Sequence, residues 1–396
     1  MTDTRALSKQ LSDTGSDLAV ILTIGTLIGL VMAVIASSFV WGIRVLTEWR
    51  ETALSLPITV GDWTLEVTPL IALWVTAGLV IFIRRGFQAE RWHGPADAVL
   101  AAHRASNSLD VKQGIGSTLA AFIGASGGAS VGQYGPLVHA GATVGAWIER
   151  RISSRLPARV YLACGVAAAI SAGFGAPLAG IVFAHEAILR HFSIRALAPI
   201  AIASVVASAL NAALFPSISG FQLPTTAPDL TTLVPVLILS APLMAAAALL
   251  YMGALLKVGR WASQSGLSTD TLILIAATGC GLVGLWLPDI LGVGIGPMNA
   301  MLNGEYAPGM LITLLGAKIA MTALCIGFGL FGGTFSPALF VGIATGSIIG
   351  VLAGALGLTD LSVALAVAAM AAVAAALVGA PMAAVLIALE LTHSYV

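Results

Sequence analysis

The chain has 396 residues, of which 58% are hydrophobic and only 9% are charged, and its mean hydropathy is +0.98. A soluble domain carries about 25% charged residues, so this composition excludes a water-soluble protein and predicts an outer surface that faces lipid. The 18 lysines and arginines balance the 18 aspartates and glutamates, so no basic face for nucleic acid is indicated. Three cysteines in apolar segments indicate small core residues and not disulfides or a metal site: Cys164, Cys280 and Cys325.

Residues 1–15 are polar and of mixed charge, and they lack the basic start and short apolar core of a signal peptide. We expect them to form a short cytoplasmic tail, followed by a single transmembrane domain over residues 16–396. A helix needs about 20 residues to cross the hydrocarbon core, and charge-free runs of this order follow one another along the chain. These runs predict an all-α polytopic membrane protein: 18–43, 67–83, 113–148, 160–185, 196–228, 230–256, 271–288, 319–359 and 361–389.

Two of these runs, 113–148 and 319–359, are too long for one helix, and both contain a glycine cluster with the pattern Gly-x-aromatic-x-Pro. The two copies lie 201 residues apart, and each is followed by Gly-Ala-Pro with a glutamate nine residues after the proline, 204 residues apart. Two patterns in the same order at nearly the same offset predict two related halves, about 16–215 and 230–396. The copies are Gly132-Gln133-Tyr134-Gly135-Pro136 with Gly175-Ala176-Pro177 and Glu186, and Gly333-Thr334-Phe335-Ser336-Pro337 with Gly379-Ala380-Pro381 and Glu390.

Irregular backbone at membrane depth is tolerated only where it lines a cavity enclosed by protein, and paired breaks in two halves are typical of a transporter's binding site. A glycine-rich turn before a helix leaves unpaired N–H groups and the positive end of the helix dipole facing the break. Two such ends in mid-membrane form a site for an anion without a full positive charge. The alternative is that the glycines only allow close helix packing, which would be favoured for one isolated cluster but not for two matched copies.

These motifs resemble those of the CLC family of chloride channels and chloride/proton antiporters, in the right order over essentially the whole chain. The family's Gly-x-Phe-x-Pro signature is intact at 333–337, and the context of its pore tyrosine resembles Glu390-Leu391-Thr392-His393-Ser394-Tyr395. The resemblance implies an inverted-repeat fold with broken and tilted helices, a homodimer with one pore per subunit, and transport of chloride or a similar monovalent anion without cofactor or metal. We expect a multi-pass protein of the lipid bilayer, in the bacterial inner membrane, in which the family's final helix after Tyr395 is either absent or cut away.

The chain departs from the family's pattern at its gating and proton-transfer positions. The gating glutamate falls on Tyr134, and the inner proton-transfer glutamate falls on Ala187. The first anion-binding motif resembles Trp92-His93-Gly94-Pro95, which puts His93 at the serine with one residue missing. Because neither tyrosine nor alanine titrates near neutral pH, we predict passive transport that is uncoupled from protons, with Tyr134 at the gate. The candidate anion ligands are His93, Gly94, Gln133, Tyr134, Gly135, Thr334, Phe335 and Tyr395, flanked by the selectivity-motif residues Gly132, Pro136, Gly333, Ser336 and Pro337.

Two other functions remain open from the sequence. One is an anion/proton antiporter in which His93, His139 or His185 carries the proton in place of a carboxylate. The other is an intramembrane serine protease with Ser126 as the nucleophile and His139 or His185 as its base. Glu186 and Glu390 occupy equivalent repeat positions, which favours a structural role such as capping a neighbouring helix break.

Overall fold

The computed structural model describes residues 2–54, 56–60, 63–104, 109–152, 156–215, 221, 223, 229–358 and 361–392, with side chains described from residue 19 onward except for 58–65. Over these residues the chain forms fifteen α-helices and one two-stranded antiparallel hairpin. The predicted all-α class is confirmed, and the hairpin between the first two helices is a small departure from it.

The first half begins with one long helix because residues 2–53 contain no proline, and the residues predicted as a separate tail continue this helix from Thr2. Proline at the first turn and glycine breaks then set the shorter helices. The elements are α1 (Thr2–Ala53), β1 (Pro57–Val60), β2 (Trp63–Glu66), α2 (Thr68–Phe87), α3 (Pro95–His103), α4 (Val111–Ser126), α5 (Tyr134–Glu149), α6 (Ala158–Phe174), α7 (Pro177–Phe183), which continues as a π-helical turn (Ala184–Leu189), and α8 (Ile194–Leu214).

The second half starts at Asp229, whose carboxylate accepts a hydrogen bond from the amide of Thr231 and caps the next helix. Its elements are α9 (Leu230–Gln264), α10 (Thr269–Gly284), a 3-10 turn (Pro288–Ile290), α11 (Ile295–Leu302), α12 (Pro308–Gly327), α13 (Phe335–Ala355), α14 (Ser362–Val378) and α15 (Pro381–Thr392). Six helices of the described part are long and apolar enough to cross a membrane: α1 from residue 19, α2, α8, α9, α12 and α13. The chain is therefore an integral, multi-pass membrane protein.

The predicted breaks occur at matching places in the two halves. The run 113–148 divides into α4 and α5, and the run 319–359 divides into α12 and α13. A second pair of breaks separates α6 from α7 and α14 from α15. At these breaks Gly175 has φ +69° and Gly379 has φ +68°, the left-handed conformation that ends a helix and that only glycine adopts without strain.

Small residues bring the central helices together. A Cβ on Gly165 of α6 would lie 1.9 Å from the carbonyl oxygen of Gly141 in α5, so these two helices touch through their backbones. The equivalent pair in the second half, α13 and α14, makes the same kind of contact, since a Cβ on Gly346 would lie 2.3 Å from the carbonyl oxygen of Leu365. This packing buries the centre of each half and fixes the start of α5 and α13.

The two halves also cap each other's helices. Glu390 of α15 accepts hydrogen bonds from the amides of Leu178 and Ala179 at the start of α7, with N···O distances of 3.0 and 2.8 Å. Glu186, in the π-helical turn after α7, accepts from the amides of Met382 and Ala383 at the start of α15, at 3.1 and 2.8 Å. The exchange is symmetric, and the predicted capping role of the two glutamates is confirmed.

Candidate functional site

The two Gly-x-aromatic-x-Pro segments meet and pair with each other. The amide of Gly132 donates to the carbonyl of Gly333, and the amide of Gly333 donates to the carbonyl of Gly132, both with an N···O distance of 2.6 Å. An antiparallel exchange between equivalent residues is what a local two-fold axis between the halves produces. Both positions require glycine, because a Cβ on Gly132 would lie 2.9 Å from the oxygen of Gly333 and one on Gly333 would lie 2.9 Å from the amide nitrogen of Gly135.

The pairing brings together the N-termini of two buried helices. α5 starts at Tyr134 and α13 starts at Phe335, directly after the paired glycines. The residues that precede them, Gln133 and Thr334, make no side-chain hydrogen bond to the first turn of either helix. The first-turn amides and the positive dipole ends of α5 and α13 therefore converge from the two halves, as the repeat predicted.

Three aromatic rings and a buried hydroxyl surround this junction. Tyr134 stacks on Phe174 of α6 with a centroid separation of 3.4 Å, and Phe335 stands edge-on to both rings at 6.4 and 5.5 Å. Ser336 is fully buried, and its Oγ has no hydrogen-bond partner among the described residues. Beside it lies a cavity of about 30 Å³, lined by Tyr134, Gly173, Phe174, Phe221, Val293, Ile295, Met298, Ser336, Leu339 and Leu391.

A larger cavity of about 740 Å³, here called the large vestibule, lies between the C-terminal end of α1, residues 66–69 and the segment 288–297. Gln133 lines it, while its neighbour Tyr134 lines the small cavity. Val293 and Ile295 line both cavities and so stand between them. Lys318 holds their segment in place, since its buried Nζ donates to the carbonyls of Ile290 and Gly292 at 2.9 Å each.

The segment before α3 is the first-half equivalent of the segment before α11. Gly94 and Gly294 are the residues that precede these helices, and they lie 200 residues apart. His93 is therefore the repeat equivalent of Val293. The amide of Gly94, predicted as an anion ligand, donates to Asp97 Oδ2 at 2.9 Å, so we leave Gly94 out of the ligand set proposed below. The amide of His93 donates to Ser117 Oγ at 2.9 Å.

The remaining predicted site residues are placed as follows. Gly135 lies against Gly333 of the paired segment, since a Cβ there would be 3.2 Å from Cα of Gly333. The carbonyl of Thr334 accepts from the Tyr251 hydroxyl at 2.8 Å. Ala187 is buried in the π-helical turn. Pro136 and Pro337 stand in the first turns of α5 and α13, and Tyr395 lies outside the described residues.

The hydrogen bonds of the protease candidates point to structural roles. Ser126 Oγ donates to the carbonyl of Phe122 in its own helix at 2.8 Å, and among the described histidines none is within hydrogen-bonding distance of it. His185 Nδ1 donates to the carbonyl of Ile181, four residues earlier in the chain, at 2.9 Å. A nucleophilic serine needs a base within hydrogen-bond reach, and the described part of the chain supplies none to Ser126.

Sequence reasoning missed several residues that line the two cavities. The sequence motifs do not single out Phe174, although it is the last residue of α6 and directly precedes the Gly-Ala-Pro motif. Val293 and Ile295 lie in the alternating-glycine segment 291–297, which is a recognisable signal of irregular backbone at membrane depth. Phe221 and Leu391 carry no local signal, because only the bond between the Phe221 amide and the Leu391 carbonyl, 2.9 Å long, brings them together.

Fold and site together define a polytopic membrane protein with an internal two-fold repeat and paired helix N-termini at its centre. The chain belongs to the voltage-gated chloride channel family, the CLC family, whose sequence profile matches residues 72–396. It is 27% identical over 387 residues to the voltage-gated ClC-type chloride channel ClcB of Salmonella typhi, covering 94% of this chain and 91% of that protein. It is 28% identical to the chloride channel protein CLC-f of Arabidopsis thaliana, covering 95% of this chain and 51%, about half, of the plant protein.

Two solved structures share the fold. The crystal structure of a CLC-type fluoride/proton antiporter superposes with a TM-score of 0.80 at 19% identity, covering 95% of this chain and 91% of that chain. The structure of a slow cyanobacterial Cl⁻/H⁺ antiporter superposes with a TM-score of 0.79 at 19% identity, covering 95% and 90%. At this identity the similarity shows the architecture, and the predicted inverted-repeat CLC fold is confirmed.

Proposed function

We propose that this CLC protein moves chloride or a similar small monovalent anion passively across the membrane, without coupling to protons. The observation that carries the proposal is the meeting of two helix N-termini, neither capped by the side chain that precedes it. They meet beside the Ser336 hydroxyl, which has no hydrogen-bond partner in the described part of the chain. The proposed assembly is a homodimer in the bacterial inner membrane. Each subunit has its own anion pathway, which its two repeat halves, 16–215 and 230–396, form together.

The proposed ligands are neutral hydrogen-bond donors. They are the backbone amides at Gln133, Tyr134 and Gly135 in the first half and at Thr334 and Phe335 in the second half, joined by the Ser336 hydroxyl. Such donors suit transport, because an anion must bind strongly enough to enter the site and weakly enough to leave it. The assignment of Tyr395 as a further ligand stays a prediction.

The proposed route runs from the large vestibule past Val293 and Ile295 into the small cavity, and then past Tyr134 toward His93. Two observations support it: Val293 and Ile295 line both cavities, and His93 is the repeat equivalent of Val293. Tyr134 acts as the gate. Its ring is held against Phe174, so its displacement is the step that opens the route.

The residues at the two family glutamate positions support passive transport. Tyr134 and Ala187 offer no carboxylate that could bind a proton in one state and compete with the anion in another. Glu186, the nearest carboxylate in sequence to Ala187, accepts two backbone hydrogen bonds and serves as a cap. Without a group that links proton binding to anion binding, a proton gradient has no means of driving the anion.

The test is a flux assay on liposomes that contain the purified protein, with chloride, nitrate, bicarbonate and fluoride compared in turn. Each anion is measured with and without a pH gradient, and protein-free liposomes give the background. We expect the current to reverse at the potential set by the anion gradient alone. A reversal potential that shifts with the proton gradient, or uphill anion movement driven by protons, would refute passive transport.

A further inference from the structure

Two histidines and an aspartate converge at the end of the proposed route opposite the large vestibule. His93 precedes α3, Asp97 lies in the first turn of α3, and His139 lies in α5. One ligand atom from each of the three residues lies within 4.8 Å of the other two. The two imidazole rings stand edge-on with centroids 5.7 Å apart. We call these three residues the His-Asp cluster.

Two nitrogens of the cluster are buried without a partner. His93 Nδ1 and His139 Nε2 are both inaccessible and have no hydrogen-bond partner among the described residues, and the side chain of His139 is only 1% exposed. A buried polar atom without a partner is costly, and such atoms in native proteins are usually satisfied by water or an ion. The two nitrogens therefore point to a ligand that accepts their lone pairs.

Neighbouring groups orient His139 and Asp97 for binding such a ligand. The Thr143 hydroxyl donates to the carbonyl of His139 at 2.8 Å, so its oxygen is left to face His139 Nδ1 as an acceptor, 3.5 Å away. This contact favours a proton on Nδ1 and leaves the lone pair on Nε2 for a ligand. Asp97 is oriented by Arg91 and by the amide of Gly94, and Arg91 is 64% exposed, so its charge is screened by solvent.

We propose that the His-Asp cluster binds a divalent transition-metal ion of the Zn²⁺ class, and that the bound ion closes the anion route. Two imidazole nitrogens and one carboxylate oxygen suit Zn²⁺ and Co²⁺, whereas Ca²⁺ and Mg²⁺ take oxygen ligands. Tetrahedral zinc holds its ligand atoms about 3.3 Å apart, so small rotations of the three side chains would complete the site.

The repeat places the cluster on the route. His93 is the equivalent of Val293, which stands between the large vestibule and the small cavity. Pro95, two residues after His93, approaches the proposed anion ligands, because a Cβ on Gly135 would lie 3.5 Å from Pro95 Cγ. Three protein ligands leave one coordination position of the metal open, and an anion that reaches the ion would bind there and stop. This effect on transport rests on the proposed function, whereas metal binding does not.

Metal binding is tested on purified protein without any transport measurement. Zn²⁺ is titrated by calorimetry, and Co²⁺ is followed by its visible absorption bands, with Mg²⁺ as the hard-cation control. We expect one ion per chain, and at least about a tenfold loss of affinity in His93→Ala, Asp97→Asn and His139→Gln. The matched controls are His185→Ala, a buried histidine outside the cluster, and His103→Ala, an exposed one, and both should bind as the parent does. Thermal unfolding and gel filtration confirm that each variant is folded.

The outcomes separate the two parts of the proposal. Absence of Zn²⁺ binding in the parent, or equal binding in a folded His139→Gln variant, overturns the site. If the site binds, Zn²⁺ added to liposomes should inhibit anion flux in the parent and in His185→Ala, but not in His139→Gln. Binding without inhibition overturns closure of the route, and a parent without anion flux refutes the proposed function while the binding result stands.

Discussion

The reciprocal caps of Glu186 and Glu390 make a quantitative prediction about stability. Each carboxylate accepts two backbone hydrogen bonds from the first turn of a helix in the other half, with N···O distances between 2.8 and 3.1 Å. A hydrogen bond to a charged group contributes about 1.5–3 kcal/mol, so removing one carboxylate costs about 3–6 kcal/mol. Ala179 and Ala383 are fully buried, so removing the carboxylate leaves a buried amide without its acceptor at each cap.

Four variants test this magnitude, namely Glu186→Ala, Glu390→Ala and the two corresponding changes to Gln. The alanine variants remove both hydrogen bonds, and the glutamine variants keep one acceptor oxygen and should lose about half as much. Glu305→Ala, an exposed glutamate in the loop after α11, is the matched control. Because the two caps are equivalent, the two alanine variants should be destabilised to a similar extent.

The assay is thermal unfolding of the purified protein in detergent, followed by near-ultraviolet circular dichroism and by retention of the native gel-filtration peak. For a chain of this length, 3–6 kcal/mol corresponds to a decrease in Tm of roughly 4–7 °C. An alanine variant that melts with the Glu305→Ala control would refute the capping argument. So would a large loss in only one of the two equivalent variants, because the hydrogen-bond geometry is the same on both sides.

Three further predictions concern the site. Tyr134→Ala removes the ring stacked on Phe174 and should raise anion flux in liposomes. Tyr134→Phe keeps the ring and should leave the flux near the parent value. Equal flux in the parent and both variants would exclude a gate at Tyr134. Ser336→Ala should weaken anion binding, measured by calorimetry, by about tenfold, because a hydrogen bond to the anion is lost. Unchanged affinity would remove Ser336 from the ligand set. Gly333→Ala should abolish transport and lower Tm, because the added Cβ would lie 2.9 Å from the amide nitrogen of Gly135. Gly354→Ala is the control and should behave as the parent does, because a Cβ at Gly354 meets open space.

Much of the fold follows from the sequence because its determinants are local. A charged content of 9% predicts lipid contact, and glycine clusters within long apolar runs predict where helices break. The two copies of Gly-x-aromatic-x-Pro, each followed by a glutamate nine residues after the next proline, predict two related halves. Equivalent positions of Glu186 and Glu390 even indicate their capping role, because a carboxylate in an apolar segment can accept hydrogen bonds from the amides at a nearby helix start.

The tertiary structure alone decides which residues meet. The pairing of Gly132 with Gly333, the stacking of Tyr134 on Phe174 and the crossing of the glutamate caps from one half to the other depend on how the halves are oriented, which a repeat period does not state. The same holds for Gly94, whose amide a motif assigns to an anion but whose nearest acceptor is Asp97. Spacing along the chain fixes where helices start and stop, whereas a binding site consists of distances between residues about 200 positions apart, and only the packed chain determines those distances.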